Sequence, residues 1–159
     1  MRVTRMIGVF TLLLAGCNAE RKPAIALHTD DPASAAKADT LVVYKTPTCG
    51  CCSAWVDHAK ANGFAVVVHD LNDLSQIKRD AGVPPGHVSC HTATINGYTI
   101  EGHVPADLIR KMLTERASFR GLAVPGMPIG SPGMEGMIKQ SYDVLSFDEK
   151  GNVQVYAKR

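Results

Sequence analysis

Three thiols fall within four positions in the stretch Thr46-Pro47-Thr48-Cys49-Gly50-Cys51-Cys52-Ser53-Ala54-Trp55. Sulfur at this density either binds soft metal ions as thiolate or exchanges disulfides. The outer pair, Cys49 and Cys52, has the C-x-x-C spacing of a redox dithiol. Cys51 inside it argues against plain exchange, which needs one nucleophile and one resolving thiol and gains only wrong pairings from a third. A metal site gains from it, because thiolates bridge soft ions. Crowded thiolates favour a polynuclear Cu(I) site over a single tetrahedral Zn²⁺.

Five cysteines are present in all. Cys90, in Ser89-Cys90-His91, is the expected fourth sulfur of the site. Adjacent Cys51 and Cys52 pair only with strain, and Cys49 to Cys51 closes a very tight ring, so a purely structural disulfide framework is a poor reading. Met127, Met134 and Met137 follow in a Gly/Pro-rich stretch, and thioethers suit Cu(I). Met112 belongs to a helix face and to the core. His103 is a candidate ligand or a hydrogen-bonding partner of a helix end. His91, as a strand residue next to Cys90, is expected to point to the opposite face. His87 is a weaker candidate, and His58 and His69 read as surface or element-end residues.

The elements that must position these groups follow from the pattern. Residues 40–45 form a short apolar strand expected to be central, and Pro47 stops it. A helix is expected over 51–62, with Trp55, Val56 and Ala59 on its buried face and Gly63 as its stop. The helix start carries free N–H groups and a positive dipole end, which favour thiolate. Residues 64–70 are β-branched and read as a strand buried on both faces. The intervening helix makes these two strands a parallel βαβ unit. A polar helix is expected over 72–81. Asn96-Gly97 between two alternating runs, 91–95 and 98–101, marks a type I′ hairpin. Pro105 opens a helix to about 118, with Leu108, Ile109, Met112 and Leu113 buried. Residues 121–136 hold so many Gly and Pro that neither helix nor central strand is expected there. Runs 142–147 and 153–156 form a last hairpin. The order β-α-β-α-β-β-α predicts an α/β fold, a thioredoxin-like sandwich with a mixed β-sheet plus an appended C-terminal hairpin. Many such folds carry a cis-proline before the third strand, where this chain has Cys90.

The chain of 159 residues suffices for one domain with a real core, and its net charge of +2 gives no electrostatic case for nucleic acid. Residues 1–16 read as an export signal: Arg2 and Arg5 lead an apolar core too short to span a bilayer. The segment ends in Leu14-Ala15-Gly16-Cys17, which resembles a bacterial lipobox with Cys17 as the lipidated residue. An ordinary cleaved signal is the alternative. Residues 17–39, rich in Ala, Asp, Pro and Lys, read as a disordered tether to a domain over 40–159. The expected place is therefore the periplasmic side of a bacterial envelope, lipid-anchored. Asn18 favours the outer membrane in a Gram-negative cell.

The active stretch, together with Ser89-Cys90-His91-Thr92-Ala93, Glu101-Gly102-His103-Val104-Pro105 and Pro125-Gly126-Met127-Pro128-Ile129-Gly130-Ser131-Pro132-Gly133-Met134-Glu135, resembles the DUF411 family, which includes CopG-like copper-resistance proteins. The resemblance spans roughly 41–137. It implies a thioredoxin-like fold and a multicopper site bridged by Cys49, Cys51, Cys52 and Cys90. It also implies a role in copper tolerance, with interconversion of Cu(I) and Cu(II) and periplasmic copper-handling or redox proteins as partners. The lipobox departs from members released as soluble proteins. The rival reading is a thiol-disulfide oxidoreductase using Cys49 and Cys52. An iron–sulfur protein and an arsenate-reductase-like enzyme rank below it; the latter lacks a convincing counterpart of the catalytic arginine.

Overall fold

The computed structural model describes residues 40–159. The expected signal at 1–16, the lipidation residue Cys17 and the tether to residue 39 lie outside the described residues. The described chain runs β1 (Thr40–Lys45), α1 (Gly50–Ala61), β2 (Ala65–Asp70), α2 (Ser75–Asp80), a single 3₁₀ turn (Pro85–His87), β3 (Thr92–Ile95), β4 (Tyr98–Gly102), α3 (Ala106–Glu115), β5 (Gly121–Val124), β6 (Asp143–Phe147) and β7 (Val153–Lys158). The fold is mixed α/β, with one seven-stranded sheet in the order β2-β1-β3-β4-β5-β6-β7.

The β1–α1–β2 unit is parallel as expected, with Thr40 opposite Ala65 and Lys45 opposite Asp70. The β3–β4 hairpin turns on Asn96 and Gly97, both at positive φ (47° and 84°), the geometry a type I′ turn requires. The β6–β7 hairpin is also present and joins the sheet through β5. Trp55, Val56 and Ala59 of α1 and Leu108, Ile109 and Met112 of α3 share one core with Leu41, Val43, Ala93, Ile100, Leu122 and Val124 of the sheet. Each large apolar side chain so removed from water contributes about 1.5–3 kcal/mol. This core fixes α1, and with it the start of α1 that carries the thiols. No helix of the described residues is long and apolar enough to cross a membrane.

Several expectations are corrected. Residues 121–124 are not irregular: β5 is a fully buried central strand, parallel to β4 and antiparallel to β6. Gly121 is there because a Cβ would strike the Thr99 carbonyl oxygen and the Phe147 ring, so the glycine marks close approach of a neighbouring strand and not a break. The β-branched run of β2 is an edge strand, exposed along most of its length, not a strand buried on both faces. β1 lies inside the sheet, but its residues alternate between buried and half-buried. The second helix is shorter than expected, and α3 ends at Glu115 because Arg116 turns left-handed at φ 48°.

Candidate metal centre

Cys49 is the N-cap of α1, and its sulfur accepts the Cys52 N–H at 3.3 Å. One helical turn brings the Cα atoms of Cys49 and Cys52 to 5.3 Å, within disulfide range, and the two are bonded. Cys51 and Cys90 are free, both half-buried. The four sulfurs are therefore not four thiols in this state, but they do converge. Cys49, Cys51, Cys52 and Cys90 place their Sγ atoms all within 4.8 Å of one another. Cys51 Sγ lies 3.5 Å from Cys49 Sγ. Cys52 is fully buried, so solvent and partners meet the cluster through the other three.

Cys90 arrives from the loop before β3, and a buried polar network fixes that loop. The Glu101 carboxylate accepts the Ser89 N–H, the Thr92 hydroxyl and the Lys78 ammonium, each at 2.6 Å. Lys78 also donates to Thr92 Oγ1 at 3.0 Å. Burial pushes the Glu101 carboxyl above its usual value, with the Lys78 charge opposing. Ser89 in turn donates its hydroxyl to the Gly126 carbonyl, tying the Cys90 loop to the Gly/Pro-rich segment. Ser89 and Glu101 stand in the motifs that carry the family resemblance, but their pairing with each other and with Lys78 is set by tertiary packing and has no local signature.

His103 is wholly buried. Its Nδ1–H donates to the Pro132 carbonyl at 2.7 Å, which leaves the Nε2 lone pair facing Cys90 Sγ at 3.0 Å. A ring held in this way by a carbonyl behind it is the arrangement of a metal-ligating histidine. His91 is not turned away from Cys90 as expected: its Nδ1 is 3.4 Å from Cys90 Sγ. The alternation rule does not apply, because β3 begins only at Thr92. The His91 ring stands between Trp55 (centroids 4.5 Å apart) and His103 (5.1 Å), and its Nε2 is a buried atom without a hydrogen-bond partner. Burial and the neighbouring His103 lower its pKa well below the ordinary value, so the imidazole is neutral. Trp55 is the expected core anchor; its indole N–H donates to the Val104 carbonyl at 2.9 Å.

The Gly/Pro-rich segment closes over the cluster. Met127 places its sulfur 3.9 Å from Cys51 Sγ and is half exposed. Met134, half-buried, closes a tight turn through its backbone, donating to the Ser131 carbonyl and accepting from the Gly130 N–H, both at 2.8 Å. Met137 is fully exposed. Gly133, at φ 82°, lies so close to α1 that a Cβ would meet the Cys51 carbonyl oxygen and the Trp55 nitrogen at 2.7 Å. His58 is half-buried and not simply a surface residue: its Nε2 accepts the Ala106 N–H at the start of α3. The donor set suits a soft cation, since sulfur dominates it and the nearby imidazoles are neutral.

A family described as "Protein of unknown function, DUF411" matches residues 87–134. Two solved structures, named "Copper resistance protein copG- Form 2" and "Copper resistance protein copG- Form 1", are each 46% identical to this chain. They cover 76% of this chain and 97% and 96% of their own, with TM-scores of 0.72 and 0.71. A search of curated proteins finds no match. At this identity and coverage, the chain belongs to the DUF411 family, alongside the copper resistance protein CopG.

Proposed function

We propose that this is a copper-binding protein of the bacterial cell envelope that serves copper tolerance. In the reduced state it holds several Cu(I) ions on Cys49, Cys51, Cys52 and Cys90, with His103 and Met127 as further donors. The carrying observation is the meeting of all four sulfurs within 4.8 Å, from two segments about forty residues apart. Thiolates at that spacing bridge soft ions, and the kinship to a copper resistance protein favours copper among them. Binding lowers free copper; interconversion of Cu(I) and Cu(II) is a further activity that the resemblance supports. The order of the β1–α1–β2 unit, the β3–β4 hairpin and α3, with the cluster at the start of the first helix, supports a thioredoxin-like reading of this mixed α/β fold. We further propose export through residues 1–16 and lipid anchoring at Cys17. Membrane fractionation tests the anchor: Cys17→Ser moves the protein to the soluble envelope fraction, and unchanged partition rejects it.

The test of the metal site is copper titration of anaerobic, reduced protein with X-ray absorption. Short Cu–S and Cu–Cu vectors are expected, and a site of only nitrogen and oxygen neighbours rejects the reading. The Cys49–Cys52 disulfide favours a second reading, a thiol-disulfide oxidoreductase. It predicts insulin reduction that survives Cys51→Ser.

A further inference from the structure

The disulfide divides the donors of the cluster into two groups. Cys49 and Cys52 spend their thiols on each other, and a disulfide sulfur carries no anionic charge with which to hold a cation. Cys51 and Cys90 keep theirs. Each free thiol has a second soft or borderline donor beside it: Met127 Sδ at 3.9 Å from Cys51, and His103 Nε2 at 3.0 Å from Cys90. The two thiols lie within 4.8 Å of each other. Two sulfurs on a common tetrahedral ion with metal–sulfur bonds of about 2.3 Å stand about 3.8 Å apart, so the Cys51–Met127 separation already suits one ion, and joining that pair to the Cys90–His103 pair takes a turn of the two thiol side chains toward each other. The nitrogen is already aimed, because the Pro132 carbonyl takes the other ring proton of His103.

Resting on the copper reading above, we propose that Cys51, Cys90, His103 and Met127 form a one-ion soft-cation site that persists while Cys49 and Cys52 are disulfide-bonded. The protein then has two capacities: a mononuclear site of two thiolates, one thioether and one imidazole when oxidised, and the larger thiolate site after reduction. Two thiolates with a thioether and an imidazole form a soft set that excludes harder ions, and the thioether favours Cu(I) within the soft ones. Met127 is the half-exposed member and stands at the solvent side, where an ion enters. Passage between the two capacities takes two electrons and two protons, which convert one disulfide into two thiols.

The experiment uses the full chain, purified anaerobically without reductant. Alkylation and mass measurement first verify one disulfide joining Cys49 to Cys52. Cu(I) is then titrated against bicinchoninate as competitor, and the loaded protein is measured by X-ray absorption. The expected result is one Cu(I) per chain, with sulfur neighbours and one imidazole nitrogen. His103→Gln removes the nitrogen signal and weakens binding at least about tenfold. Met127→Leu, on an exposed residue where folding is not at stake, lowers the sulfur count by one. Absence of Cu(I) binding by the oxidised protein overturns the proposal, as does an unchanged nitrogen signal in His103→Gln or an unchanged sulfur count in Met127→Leu. A parallel sample is reduced by a phosphine and water, which yield two thiols and the phosphine oxide. Several ions bound when reduced but none when oxidised rejects this inference alone. One ion in both states upholds it and rejects the polynuclear site; none in either rejects both.

Discussion

The Cys90 thiol lies 3.0 Å from Nε2 of His103, while the far nitrogen of the same ring is held by the Pro132 carbonyl at 2.7 Å. This relationship joins three stretches of chain: the loop before β3, the turn before α3 and the Gly/Pro-rich segment. A thiol, an imidazole and a backbone carbonyl thus form a line that ends in the sulfur cluster. The ring has no freedom to choose its tautomer, so the lone pair toward Cys90 is a property of the fold.

Burial, and then the neighbouring Cys51, push the Cys90 thiol from an ordinary 9.0 up to about 11. In the metal-free protein Cys90 is therefore protonated at neutral pH. At pH 8 it carries about a hundredfold less thiolate than an ordinary thiol, and iodoacetamide labels it correspondingly slowly. The sign for stability follows. A thiol held above its unfolded value favours the folded state while protonated, so this contribution is complete below pH 9 and is lost as pH rises toward 11. Peptide-resolved alkylation between pH 7 and 10 checks the first statement. Urea unfolding of wild type and Cys90→Ser over the same range checks the second: the wild type loses more stability.

Glu101 is buried with three donors on one carboxylate, including a salt bridge to Lys78. Glu101→Ala leaves the Ser89 N–H without its acceptor and the Lys78 ammonium with Thr92 Oγ1 but no countercharge, and a loss of about 3–5 kcal/mol is expected. Glu101→Leu combined with Lys78→Met removes both charges together and costs less than Glu101→Ala alone. Urea midpoints of the reduced, metal-free proteins measure the difference. Because Ser89 precedes Cys90, Glu101→Gln is also expected to weaken Cu(I) binding more than it lowers stability.

The parts of the molecule that sequence discloses are those with a local signature. The Cys49-Gly50-Cys51-Cys52 turn follows a strand and opens a helix, and Asn96-Gly97 supplies the two positive φ angles of its turn. Cys90 joins its companions as the strand order implies. Other features have no such signature. The Glu101–Lys78 pair spans 23 positions and two elements, so no local pattern announces it. β5 is disguised because its glycine answers to Thr99 and Phe147, which come from two other strands. β2 is β-branched like a buried strand, yet among the described residues no strand pairs with its outer edge. His91 is misjudged because the start of β3 at Thr92 cannot be read to within one residue.

Gly133 presses the Gly/Pro-rich segment onto the first turn of α1 at a positive φ. Gly133→Val faces both strain and a collision with the Cys51 carbonyl and the Trp55 nitrogen, a cost of about 1–3 kcal/mol. The segment then lifts from the helix and carries Met127 and Pro132 with it. Faster proteolysis within 125–136 is expected, together with weaker Cu(I) binding despite four intact cysteines. Proteolysis and copper binding both at wild-type levels would show that the segment is not what completes the site.

Cys51→Ser separates the two readings of the C-x-x-C. Cys51 Sγ sits 3.5 Å from Cys49 Sγ, and Cys52 is wholly buried, so an incoming thiol or substrate disulfide meets Cys49 first. In an exchange enzyme, Cys51 would stand beside the mixed disulfide on Cys49 as an internal competitor. Its removal would then maintain or raise insulin reduction, since Cys49 and Cys52 keep their geometry. In a copper site the same change removes a bridging sulfur and the partner of Met127. The reduced variant is then expected to bind at least one ion fewer, with the Cu–Cu vector weakened or lost. The Cys49–Cys52 disulfide should still form on air oxidation. Copper stoichiometry and insulin turnover measured on the same preparation decide the matter: a fall in the first with no turnover in either protein assigns Cys51 to metal. Full stoichiometry with turnover intact assigns the motif to exchange.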